Sequence, residues 1–180
     1  MSSFTKTDRG LLIELNEAEL SILRGAATEV LQIIIGRDST ELHDDPLSNM
    51  LEISTHDRLP EDPVLARLFP DAYQDERLSS EFRRYTENAL QSKKSGAIDH
   101  LLSSLPISGI ARVEIATEKI DLWIRAINDL RLVFGVVLSI DENSDKRFAQ
   151  MGEDDPDFFR VQIFYWLGGL LENLVDHSAD

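Results

Sequence analysis

Hydrophobic positions change period along the chain, and each change marks an element. Leu11, Ile13 and Leu15 alternate with Leu12 and Glu14, behind a β-prone run at residues 4–7 and the turn residues Asp8, Arg9 and Gly10. This pattern predicts a β-hairpin over residues 3–15. Asn16 followed by Glu19 has the form of a capping box. Leu20, Leu23, Ala27, Val30 and Ile34 then recur at helical spacing. They predict a helix over 16–36 that ends on Gly36 as its C′ residue. The period is lost over 37–77, which reads as an acidic loop with short helices at 47–53 and 63–69. Asp62-Pro63 starts the second of these and Pro70 stops it.

Phe82, Tyr85, Ala89, Leu90, Ile98, Leu101, Leu102 and Leu105 form an imperfect stripe that predicts a long helix over 78–105. Gly96 is a point of weakness in it, and Pro106 ends it. Alternation returns at 110–115 and predicts a third strand, with Thr117 capping a strong helix over 117–140. A polar loop follows from Asp141, and Asp155-Pro156 opens an aromatic-rich helix over 156–176. Ile13-Glu14-Leu15 runs into a helix as Val113-Glu114-Ile115 does 100 residues later. A sheet joining the hairpin to the third strand accounts for both. The expected fold is a mainly α, single-domain helical bundle over 1–180 with a small antiparallel β-sheet.

The 180 residues carry 33 acidic and 18 basic side chains, for a net charge of −15. So acidic a surface repels a nucleic-acid duplex and argues against direct DNA contact; it favours a basic protein partner. There are no cysteines, which removes disulfides, thiolate nucleophiles and Cys-based zinc sites. The charged start of the chain does not read as a secretory signal, and no apolar run approaches the length of a bilayer span. Glu41, His43, Asp44 and Asp45 bear metal-ligand types without a spacing that gathers them. Asp141-x-Asn143-x-Asp145 begins like a calcium loop, but Lys146 stands where glycine is required and Gly152 where glutamate is. Phosphate-cradling and nucleophile-elbow glycine motifs are missing too. The expectation is a non-enzyme with no catalytic, cofactor-binding or metal-binding residues.

Three polar or apolar sets stand out. Arg125, Asn128 and Asp129 share a face of the 117–140 helix, with Asp129 within ion-pair reach of Arg125. With Arg67, Asp71, Tyr73 and Arg131 they make up a candidate polar network or interaction site: either an ion-pair network anchoring the acidic segment or a recognition site. Arg83, Arg84, Lys93 and Lys94 form a candidate basic patch, a solvated face or a contact for an acidic partner. Phe159, Trp166 and Leu170 mark the last helix as core or as the seam of a homodimer.

The stretches Asp62-Pro63-Val64-Leu65-Ala66-Arg67-Leu68-Phe69-Pro70-Asp71-Ala72-Tyr73, Glu81-Phe82-Arg83-Arg84-Tyr85-Thr86, Trp123 with Arg125-Ala126-Ile127-Asn128-Asp129-Leu130-Arg131-Leu132, and Tyr165-Trp166-Leu167 resemble an actinobacterial family of uncharacterised domains. The resemblance runs almost end to end. That family includes an oxidative-stress transcription regulator. The resemblance therefore implies a cytoplasmic regulator that senses oxidation through a cysteine pair and acts with a sigma factor or RNA polymerase. Without cysteine this chain cannot run the thiol switch. An alternative is an adaptor linked to Clp-type proteolysis, since family genes sit beside that of the Clp adaptor. A third class, a small-molecule-binding protein or enzyme, requires a deep pocket lined by Arg67, Arg125 and Asp129.

Overall fold

Asn16 closes the capping box that its spacing predicts. Its side chain accepts from the Glu19 backbone N–H at 2.9 Å, and the Glu19 carboxylate accepts from the Asn16 N–H at 2.9 Å. The structure is a computed structural model, and it describes residues 2–37, 54 and 56–178. Strands β1 (Ser3–Thr7) and β2 (Gly10–Leu15) form the hairpin, and helix α1 spans Glu17–Ile35. Helices α2 (Pro63–Leu68) and α3 (Glu76–Ser104) follow, then strand β3 (Ala111–Ala116). Helices α4 (Ile120–Val137), α5 (Ser144–Ala149) and α6 (Phe158–Ser178) complete the chain. The cluster Glu41, His43, Asp44 and Asp45 and the helix expected at 47–53 lie outside the described residues.

The sheet is antiparallel in the order β1-β2-β3. Its register pairs Leu11 with Ile115, Ile13 with Val113 and Leu15 with Ala111, so one face of alternating residues turns inward. Gly10 makes the crossing possible. Its φ is +147°, and a Cβ there would stand 2.1 Å from the Ile115 carbonyl oxygen. Both β2 and β3 lead straight into helices, as the echo between them suggests. Leu20, Leu23, Ala27, Val30 and Ile34 of α1 join Ile98 and Leu101 of α3 in one core with Trp123, Ile127 and Leu130 of α4 and Leu167, Leu170 and Leu174 of α6.

Several ends differ from expectation. Thr117 is no side-chain cap; it opens a 3-10 turn, and its N–H and hydroxyl both donate to the Arg9 carbonyl. The strand-to-helix junction is thus tied to the hairpin turn. Gly36 ends α1 in a right-handed conformation (φ −64°), not as a left-handed C′ residue. The long helix runs through Gly96 without a break. Its last carbonyls, on Leu102 and Leu105, accept from the Arg24 guanidinium at 3.0 and 3.1 Å, as suits a cation at a helix C-terminus. Helix α5 lies where a polar loop is expected; the Asp141 carboxylate folds its start by accepting from the Ser144 hydroxyl and the Asn143 N–H. These two donors hold the Asp141 carboxyl below its ordinary range, the hydroxyl most strongly.

Candidate functional site

Arg83 is the first correction. Expected in a solvated basic patch, it is buried at 5 % exposure beside Glu87 at 2 %. One turn of α3 separates them, and the guanidinium donates to the Glu87 carboxylate at 2.6 Å, to Asp71 at 2.9 Å and to the Phe69 carbonyl at 3.1 Å. Arg37, just past α1, also pairs with Glu87 and lies 5.1 Å over the Phe69 ring. Burial works to lower the pKa of Arg83, but the hydrogen bonds and charges of Asp71 and Glu87 reverse this and raise it above the ordinary value. A lone guanidinium here would be desolvated without compensation; two carboxylates make its burial tenable. The ion network that anchors the segment before α3 is therefore this one, not the Arg125, Asn128 and Asp129 set.

Asp129 pairs with Lys94 of α3 at 2.6 Å, not with Arg125 on its own helix. Burial raises the Asp129 pKa above its ordinary value against the opposing pull of Lys94. Lys94 is thereby committed, and the expected basic patch divides: Arg84 and Lys93 alone remain on the surface. Arg125, Asn128, Asp129, Lys93 and Lys94 line a cleft of about 170 Å³.

Beside that cleft, and sharing Asn128 with it, an open cavity of about 440 Å³ lies between α2, α4 and α6. Arg67 of α2 and Arg131 of α4 face it, with Leu132, Val136, Ile140 and Phe164 as apolar wall. The Arg131 guanidinium stacks 5.0 Å over the Phe164 ring. It lies 3.6 Å from the Cβ position of Gly168, an ordinary van der Waals contact. Its Nε is buried and has no hydrogen-bond partner among the described residues. The residues that the third functional class requires are thus split between two spaces: Arg67 lines the larger cavity with Asn128 and Arg131, while Arg125 and Asp129 line the neighbouring cleft. Tyr73 and Asp71 lie away from both: Asp71 binds Arg83, and the Tyr73 ring meets Phe82 edge-on at 5.7 Å.

The expected seam on the last helix does not hold together as a surface. Leu170 is core, Trp166 is half-buried with its Nε1–H donating to the Ser2 hydroxyl at 2.8 Å, and only Phe159 is exposed, at 62 %. An exposed apolar face lies instead on α3: Leu78, Phe82 and Tyr85, spaced to lie on one side, are exposed at 45 %, 44 % and 65 %. Tyr73 and Arg84 flank them. No helix of the described residues is long and apolar enough to cross a membrane.

The chain is thus a small antiparallel sheet feeding a helical core, with a buried arginine–carboxylate cluster on its long helix. It belongs to the family described as "Domain of unknown function (DUF2017)", whose model matches residues 1–178. Among curated proteins it is similar to the oxidative stress regulator AosR of Mycobacterium tuberculosis and of Mycobacterium bovis. The identity to each is 30 % over 172 residues, covering 87 % of this chain and 77 % of the relative. The putative oxidative stress regulator AosR of Mycobacterium leprae is 30 % identical over 176 residues, with the same coverage. No solved structure matches.

Proposed function

We propose that this protein is a non-enzymatic cytoplasmic regulator that acts by docking onto transcription machinery, a sigma factor or RNA polymerase. The observation that carries the reading is the kinship to AosR over 77 % of that regulator's length. The exposed face of Leu78, Phe82 and Tyr85 supports a docking mode: tyrosine and phenylalanine with a neighbouring arginine are the residue types that dominate binding at protein interfaces. A charge of −15 suits a partner with a basic surface and speeds encounter with it. With no cysteine, the protein works without a thiol switch of its own. Affinity capture from an actinobacterial lysate, quantified by mass spectrometry, tests this. Recovery of sigma factor or polymerase subunits is expected. Recovery of Clp subunits in their place, or of no transcription component, would contradict it.

A further inference from the structure

We propose that the cavity between α2, α4 and α6 binds a small organic oxyanion, a carboxylate or phosphate carried on an apolar body, held by Arg67 and Arg131. The volume of about 440 Å³ is in the range of small-ligand pockets, roughly 300–1,000 Å³. Two guanidiniums face it and, among the described residues, no acidic side chain lines it. Arg131 is already set in place: Phe164 and Gly168 pack against it, and among the described residues its buried Nε–H has no acceptor. An oxyanion in the cavity would meet the guanidinium groups of both arginines, while the Arg131 Nε–H, which has almost no accessible surface, reports on its guanidinium without touching the ligand. Among the described residues neither Arg67 nor Asn128 spends its side-chain polar atoms on a hydrogen bond, and both line the same space.

The floor of the cavity points the same way. Ser139 holds φ at +50°, a conformation where glycine is cheaper, in the turn that ends α4. Its N–H donates to the Val136 carbonyl and that of Ile140 to the Gly135 carbonyl, a Schellman arrangement. Ser139 itself lines the cavity. Leu132, Val136 and Ile140 supply the apolar wall for the ligand's body. A duplex is the poorer fit: its affinity needs many phosphate contacts, and the cavity presents two cations within an acidic protein. The inference goes beyond the docking reading and does not depend on it.

The test is nuclear magnetic resonance of the arginine Nε–H groups in the intact chain, with the Arg131 signal assigned through Arg131→Lys. Phenyl phosphate and benzoate are titrated as probes, with benzyl alcohol as their neutral counterpart. The expected result is a saturable shift of the Arg131 Nε–H with at least one anion and none with the alcohol. Arg67→Gln, at an exposed position that leaves the fold intact, should weaken that binding by about tenfold or more. No saturable shift up to about 10 mM of either anion, or equal binding by Arg67→Gln, would overturn the proposal. So would a short DNA duplex that shifts the same signal more tightly than either small anion.

Discussion

Glu87 shows how a single buried residue can hold distant parts of a chain. It accepts from Arg83 one turn away and from Arg37, 50 residues earlier. Glu87→Gln would leave two buried guanidiniums without their shared carboxylate, so a loss of about 3–5 kcal/mol is expected in urea unfolding. Asp71→Asn should lose far less, because Asp71 is 39 % exposed and solvent screens its pair. The i,i+4 spacing of Arg83 and Glu87 was visible in the sequence. Their burial was not, because it depends on Phe69, Asp71 and Arg37, which no periodicity links to α3. Asp129 was read with Arg125 for the same reason. A neighbour on its own helix was visible, whereas Lys94 reaches it from another.

Asp129 also has a consequence for pH. Burial raises its pKa in the folded protein above the ordinary 3.8. As pH falls through the raised value, the folded state takes up a proton before the unfolded state does. This group's contribution to stability therefore becomes more favourable in acid and levels off below the unfolded pKa. Unfolding of the wild type and Asp129→Asn across a pH series should show the wild type gaining on the variant over that window. A constant difference would mean that the carboxyl is not perturbed.

Elements were most legible where local rules and tertiary packing agree. The hairpin, the capping box of α1 and the apolar stripe of α4 each carry a complete local signal. Their core faces follow from spacing alone. Junctions were less legible, because distant atoms decide them: Thr117 turns its hydroxyl to Arg9 instead of capping α4, and Arg24 supplies the end of α3. The short helix α5 escaped notice because it rests on the hydrogen bonds of one Asp141 carboxylate and carries no apolar period. Gly10 is the tightest of these junctions. Any Cβ would meet the β3 backbone, so Gly10→Ala is expected to destabilise by at least about 2 kcal/mol. At the end of α4 the opposite change applies. Ser139→Gly should stabilise by about 0.5–1 kcal/mol, since glycine adopts that conformation without strain, a shift measurable by thermal unfolding.

At the scale of the whole molecule, the fold class followed from the sequence because one contiguous core accounts for nearly every apolar stripe. The candidate site was legible in part. Arg67, Asn128 and Arg131 were singled out as polar residues on apolar elements, but their convergence on one cavity depends on how α2 packs against α4. Phe82 and Tyr85 belong to the imperfect apolar stripe expected over 78–105, but their exposure beside Leu78 is not legible from spacing, because exposure of an amphipathic helix is set by what packs on it. That face is the feature on which the account of the protein as a docking regulator depends. The most direct measurement is the affinity of the purified chain for an actinobacterial RNA polymerase holoenzyme, compared with a Phe82→Asp, Tyr85→Asp double variant of unchanged thermal stability. Binding that is indifferent to dithiothreitol and weakened by about a hundredfold in the variant is predicted, since two central aromatic contacts together contribute on the order of 3 kcal/mol. Equal binding by the two proteins, or no binding by either, would contradict it.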